Sequence, residues 1–360
     1  MVIIKKNDII ICLLYHLYYS MNKSQLGQYY TTNYDYILGD FIIPKSVGKI
    51  IEPFAGEGHL TRFCRNQNYS IIEEYDIEPK KDQIIERDTL LNPPSYLESY
   101  IITNPPYLAR NKSKDKTIFD VYNENDLYKC FIRNLINNRC NGGILIIPLN
   151  FISSIRRSDV DLRRDFIDKY QIEKVRIFEE QVFDDTPIIV CVLQFSNIQT
   201  NQETLFEIYP KKNTFQTQLN KENNFTIGGE IYNLNHSGNI QVERLTKNNQ
   251  ESKNTNILLK CIDDNNENRL GLSFKEDDKD LFIDCTEKLS ARAYATLIIT
   301  PVLDIEQQKD LVLQFNNYLN QMREKYHSLF LTNYRESKDC FARKRISMSL
   351  AYDIVKYLLT

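Results

Sequence analysis
The sequence predicts an α/β chain: a mostly parallel sheet of seven strands with helices on both faces, followed by a smaller α+β region. Three observations carry this. Between residues 49 and 195 short β-branched runs alternate with amphipathic segments, and such alternation builds parallel sheets covered on both faces. The ends of four successive runs carry Glu52, Asp76, Asp88 and Asn104, as expected where ligands bind at the carboxyl ends of strands. Beyond residue 196 the composition shifts to Asn, Gln, Thr and Lys with few long apolar runs, which sets a boundary near 197.

Taken in order, the strands are KIIEPF, SIIEEYD, QIIERD, SYIITN, GGILIIPL, KVRIFE and IIVCVLQF. Each is rich in Ile and Val and is closed by a turn residue, a proline or an acid. ENDLYKCFIRNLINN repeats its apolar positions every three to four residues and is read as a helix. In the C-terminal region, strand-like pieces are expected at 226–233 and 257–262. RAYATLIITPVLDIEQQKDLVLQFNNYLNQM then reads as a strand, a break at Pro301 and a helix over 304–326. NYRESKDCFARKRIS and a short final helix follow. No internal repeat is visible.

The chain has 360 residues, enough for two domains. Residues 1–20 are read as an N-terminal extension, 21–196 as the catalytic domain and 197–360 as a target-recognition region. The extension contains IIICLLYHLYY behind Lys5 and Lys6, which resembles a signal sequence but lacks a small-residue cleavage site. No later run is long enough to span a bilayer, so no membrane partner is expected. Eight cysteines are scattered without a CxxC or a histidine cluster; we expect buried thiols, a reducing intracellular compartment and no metal. The net charge of -3 means that any nucleic-acid partner must be held by a local basic face.

The strand ends suggest a ligand. Gly56 and Gly58 in EPFAGEG permit a tight turn and close approach of the backbone to a bound molecule. An acid after the second strand, here Asp76, commonly accepts hydrogen bonds from ribose hydroxyls. Neither GxGxxG nor GxxxxGK[ST] is present, so a pyrophosphate is not expected. Acids without a basic clamp fit an adenosine cofactor that carries a positive charge, as S-adenosylmethionine does. The fourth strand ends in TNPPY. Pro105 and Pro106 cannot lie within a central strand, so the strand stops on a rigid corner between a carboxamide and an aromatic ring.

These motifs together resemble the S-adenosylmethionine-dependent amino-methyltransferases, specifically the gamma class of DNA adenine-N6 methyltransferases. The resemblance covers about 26–196 through LGQYYTT, EPFAGEG, YDIEP, RDTL, NPPY and EEQVFDDTPIIVCVLQF, in that order. It implies a class I methyltransferase (Rossmann-like) sheet. The implied cofactor contacts are Tyr30, Thr31, Glu52, Pro53, Ala55, Gly56, Gly58, Asp76, Ile77, Asp88 and Thr89. The implied catalytic residues are Asn104, Pro105, Pro106 and Tyr107, with Phe183 stacking on the target base. On this reading the Asn104 side-chain oxygen and the Pro105 carbonyl accept the two N–H bonds of an exocyclic amine, and the prolines hold those acceptors in place in advance. The Tyr107 ring covers one face of the base and Phe183 the other. The base must leave its duplex to get there. One departure from the family pattern is the pair of acids after Phe183, Asp184 and Asp185.

Arg156, Arg157, Arg163 and Arg164, with Lys169, form one basic cluster; Arg335, Lys338, Arg343, Lys344 and Arg345 form another, interleaved with Tyr334 and Phe341. Of these, Arg156, Arg157, Arg335, Arg343, Lys344 and Arg345 are the nucleic-acid candidates. Lys112, Lys114 and Lys116 follow NPPY in a polar loop. The expected partners are double-stranded DNA and a cognate restriction endonuclease, with the choice of monomer or dimer open. Other readings of the same motifs are methylation of RNA adenine or guanine, methylation of protein glutamine, and a catalytically silent DNA-binding subunit.

Overall fold
The computed structural model describes residues 27, 29, 31–184, 186, 188–200, 202–236, 238–265, 269–283, 293–338 and 341–360, with backbone alone at 334–338 and 341. The N-terminal extension expected over 1–20 lies outside them. Two compact units emerge: one runs to Pro148 and resumes over Asp161–Thr214, and the other comprises Leu149–Val160 and Phe215–Thr360.

The first unit carries the large sheet. Its strands are β1 (Lys49–Glu52), β2 (Ile72–Asp76), β3 (Ile85–Glu86), β4 (Ser99–Thr103), β5 (Gly142–Pro148), β6 (Gln171–Phe178), β7 (Val190–Ser196), β8 (Thr204–Tyr209) and β9 (Asn213–Thr217), in the spatial order β3-β2-β1-β4-β5-β7-β6-β8-β9. All seven expected strands are present. Pairing is parallel from β3 through β5 and between β6 and β8, while β7 runs antiparallel to both its neighbours. The fold is therefore α/β with a mostly parallel sheet. Two further strands extend it, and the boundary expected after residue 196 falls within this sheet. The signal for β8 is weak because TLFEIY sits in polar surroundings, yet it buries alternate residues. Parallel pairing with β6 holds it in place, and Arg176 of β6, buried between them, bonds Glu207 of β8 at 2.8 Å.

The core is built on β5, whose seven residues are all buried. A strand covered on both faces reads as a continuous apolar run, and Ile144, Leu145, Ile146 and Ile147 each contribute on the order of 2 kcal/mol by leaving water. The helices of this unit are α1 (Tyr34–Leu38), α2 (His59–Asn66), α3 (Thr117–Tyr122) and α4 (Leu127–Asn137). The last of these is the helix expected from ENDLYKCFIRNLINN. Helix α5 (Asn150–Ser153) belongs to the second unit, and the residues of α6 (Arg157–Ile167) are divided, the second unit ending at Val160 and the first resuming at Asp161.

The second unit is α+β. Strands β10 (Gln241–Arg244), β11 (Ile257–Lys260), β12 (Gly271–Phe274) and β13 (Tyr294–Thr300) form an antiparallel sheet in the order β10-β13-β11-β12. Helix α7 (Ile305–Tyr326) starts with a capping box between Asp304 and Gln307. It buries Leu311, Phe315, Leu319, Met322 and Tyr326 along one stripe. Its Asn316 side chain completes the edge of β12, accepting from Leu272 N at 3.0 Å and donating to Leu272 O at 2.8 Å. Strands β14 (Thr332–Lys338) and β15 (Phe341–Arg345) form a hairpin, and α8 (Met348–Leu358) closes the chain. One expectation fails here. The piece at 226–233 is not a strand but ends in a 3-10 turn at Gly229–Tyr232. Within it Gly228 adopts a positive φ (60), which breaks an extended backbone.

Candidate active site
Strands β1 to β4 are parallel, so their carboxyl ends share one edge of the sheet. A cavity of about 280 Å³ opens there. Of the expected cofactor residues, Thr31, Glu52, Ala55, Gly56, Asp76, Ile77, Asp88 and Thr89 line it. Asn104 and Pro106 border the same space. Pro53, Gly58, Pro105, Tyr107 and Phe183 do not line it, and Tyr30 lies outside the described residues.

The turn after β1 is held by its neighbours. Ala55 N donates to Tyr75 O at 2.8 Å, and Gly56 N to Asp76 Oδ2 at 2.8 Å. Gly58 stands behind the wall in a left-handed conformation (φ 70), where a Cβ would sit 3.1 Å from Glu74 Oε1. Pro53 also acts from behind, its carbonyl accepting from Thr89 Oγ1 at 3.0 Å. Asp76 Oδ1 accepts from Glu78 N at 2.8 Å. Burial raises the Asp76 carboxyl above its ordinary range despite these two backbone donors. Asp88 Oδ1 takes two backbone donors, Leu90 N and Leu91 N, both at 3.0 Å.

Glu52 is the most unusual group. It is fully buried, and neither carboxylate oxygen makes a hydrogen bond of ordinary geometry among the described residues. Burial drives its pKa well above the usual carboxylate value; the nearby Thr103 hydroxyl works against this, and the Glu74 and Asp76 charges push it further up. An unpartnered buried acid is costly, and a cation placed in the cavity would relieve that cost. Glu57, Asp76, Asp88 and Asp115 add acids to the lining. Arg87 is the lining's one arginine among the described residues, and it is spent on the Asn92 and Pro93 carbonyls. The donor set thus suits a positively charged nucleoside more than an anionic one.

Asn104 is held through both ends of its carboxamide. Its Nδ2 donates to Tyr29 O at 2.7 Å and to Thr31 Oγ1 at 3.1 Å. Its Oδ1 accepts from the Tyr107 hydroxyl, which also lies 2.6 Å from Ile146 O. Tyr29 O can only accept, so the amide cannot be flipped. The expected stacking role of Tyr107 does not match this arrangement: the ring is buried, packed 5.5 Å from Tyr29 and edge-on to Tyr128. The Phe183 ring is also buried, 3 % exposed and off the cavity wall. Both rings are buried, a feature their sequence motifs do not encode.

Several lining residues were not anticipated. Phe54 and His59 flank the glycine turn, and Ser113, Asp115 and Phe119 come from the polar loop after NPPY and the helix behind it. Only the loop gave a hint, through its position directly after NPPY. In that loop Lys116 is bonded to the Arg110 and Ser113 carbonyls, so it is not free to reach outward.

The two basic clusters separate by burial. Arg156 and Arg157 are exposed. Arg163 is fully buried, and Arg164 is paired with Asp161 and Asp165. Lys344 is 3 % exposed, which withdraws it from phosphate contact and corrects that expectation. Arg343 is half-buried and paired with Asp263 at 2.6 Å, and Arg345 is partly exposed. The Arg335 side chain lies outside the described residues. Arg156, Arg343 and Arg345 belong to the same compact unit, in which α5 packs against β14.

No helix among the described residues is long and apolar enough to cross a membrane. The five described cysteines are free and buried.

The sequence model of a family described as N-6 DNA Methylase matches residues 66–269, more than half of the chain. No curated protein matches the chain. Among solved structures, a modification subunit assigned to a type I restriction enzyme of Vibrio vulnificus is 14% identical, covering 57% of this chain and 53% of its own, with a TM-score of 0.40. The type I restriction-modification methyltransferase subunit of Streptococcus thermophilus is 15% identical, covering 54% and 51%, with a TM-score of 0.38. The chain spans about half the length of these two proteins.

Proposed function
From the premise that the chain belongs to the N-6 DNA methylase family, we propose that it transfers a methyl group from S-adenosylmethionine to N6 of adenine in double-stranded DNA, as a gamma-class enzyme. The single observation that carries this is the juxtaposition of Asn104, at the end of β4, with an acidic cavity lined from the ends of β1 and β2. When bound, S-adenosylmethionine supplies an electrophilic methyl group on a cationic sulfonium. Glu52 offers a buried carboxyl that would ionise against such a cation, and Asp76 and Asp88 offer acceptors for its ribose and adenine.

Asn104 serves the target side. A neutral carboxamide accepts an N–H bond without removing the proton early, and this favours the tetrahedral geometry that the amine needs to attack. The Pro105 carbonyl is the second acceptor. Pro105 and Pro106 keep both in position, so alignment is established before the target arrives. The reaction then needs little acid–base chemistry: the positive amine loses its proton to water. Reaching this pocket takes the adenine out of its stack, at a cost of a few kcal/mol. Arg156, Arg157 and Arg345 are the candidates for the DNA backbone, and a restriction endonuclease is the partner proposed with it.

The experiment offers labelled S-adenosylmethionine with duplex DNA, RNA and a protein extract in parallel. Label in DNA alone is expected. Label in RNA or in protein glutamine would overturn the substrate while keeping the chemistry at Asn104, and no label anywhere would leave the silent-subunit reading.

A further inference from the structure
We infer that Thr31, with the Tyr107 hydroxyl, is a positioning residue for the methyl-transfer step rather than a cofactor contact. The inference rests on the reading of Asn104 as the acceptor of the target amine. A primary carboxamide has two N–H donors and two oxygen lone pairs. Both Asn104 donors are consumed, one by Tyr29 O at 2.7 Å and the other by Thr31 Oγ1 at 3.1 Å. The Tyr107 hydroxyl lies between Asn104 Oδ1 and Ile146 O, the latter 2.6 Å away on β5, and its single proton is shared between these two acceptors. Among the described residues Oδ1 therefore keeps at least one lone pair for a substrate, on an amide whose plane is set by its two Nδ2 bonds.

The same bonds raise the quality of that acceptor. Donation from Nδ2 shifts electron density towards Oδ1, because hydrogen bonds in a chain polarise one another. The network is buried, with Thr31 4 % exposed and Asn104 9 % exposed, so it is little screened by water. Accepting from Asn104 Nδ2 ties the Thr31 hydroxyl to the catalytic amide, although the residue borders the cavity. No covalent bond changes in this role.

The test compares the full-length wild type with Thr31→Val, Thr31→Ser and Tyr107→Phe. Rates of methyl transfer to duplex DNA are read at saturating cofactor, and cofactor affinity is read separately by calorimetry. Thr31→Val should lower kcat about tenfold, the usual scale for losing one buried hydrogen-bond partner, with cofactor Kd unchanged. Thr31→Ser should restore most of the rate. Tyr107→Phe, which keeps the ring, should lower kcat without raising KM for DNA. Unchanged cofactor Kd also shows that the variants are folded. A Thr31→Val enzyme with normal kcat, or one whose loss appears as weaker cofactor binding, overturns the inference. A wild type that does not methylate DNA overturns the functional reading beneath it, and this inference with it.

Discussion

At the scale of single residues, Glu52 makes the sharpest demand. Burial raises its carboxyl well above the usual range. A raised folded pKa gives a contribution to stability that is complete below the unfolded value, near 4.3, and is lost as pH rises through the folded one. A cationic ligand favours the carboxylate and pulls that pKa back down. Cofactor binding should therefore release a proton and tighten as pH rises above about 4.3 towards the raised value. Calorimetry in buffers of different protonation enthalpy checks this, and Glu52→Gln should abolish the buffer dependence. Asp126 tests the same rule without a ligand. Burial pushes it up to about 6, so stability should fall as pH rises through about 6, and Asp126→Asn should flatten that fall in thermal melts. Much of the residue scale was legible in the sequence: Glu52, Asp76, Asp88 and Asn104 all stand at strand ends and meet at one cavity. The burial of Tyr107 and Phe183 was not, because where a ring lies depends on partners brought from elsewhere in the fold, as Ile146 of β5 is for the Tyr107 hydroxyl.

At the scale of elements, Gly27, Tyr29 and Thr31 are tied to the NPPY corner. Tyr107 N donates to Gly27 O at 2.9 Å, and a Cβ on Gly27 would sit 2.7 Å from Tyr107 O, with φ at 66. Both the space and the backbone conformation exclude a side chain. Gly27→Ala should push the segment off the corner, displacing the Tyr29 and Thr31 partners of Asn104. We expect at least a tenfold fall in kcat, since small misplacements of reacting groups can cost as much as a hundredfold, and steady-state kinetics will measure it. The seven expected strands followed from apolar runs that need no partner to be recognised. Strands β8 and β9 did not, because they hold their places by pairing at the edge of a sheet already built.

At the scale of the whole molecule, each unit buries a charge pair beside its apolar core. In the first it is Arg176 with Glu207, and in the second Arg323 with Asp264. Asp264 accepts from Arg323 at 3.0 and 2.9 Å and from Ser328 Oγ at 2.6 Å. Burial alone would raise the Asp264 carboxyl, but these partners outweigh it and hold it below the usual range. Its contribution to stability should be present above about 3.9 and be lost as pH falls through the depressed value. Arg323→Ala would strand a buried charge and should cost the second unit about 3–5 kcal/mol, read as a lower melting transition. The C-terminal region was less legible than the sheet because its few apolar runs are brought together by long-range contacts such as this one. The central claim, amine methylation governed by Asn104, is tested most directly by nucleoside analysis of duplex DNA after incubation with labelled S-adenosylmethionine and either wild type or Asn104→Ala. The account predicts N6-methyladenine from the wild type, and none from a variant that still binds cofactor. Equal N6-methyladenine from both proteins would contradict it.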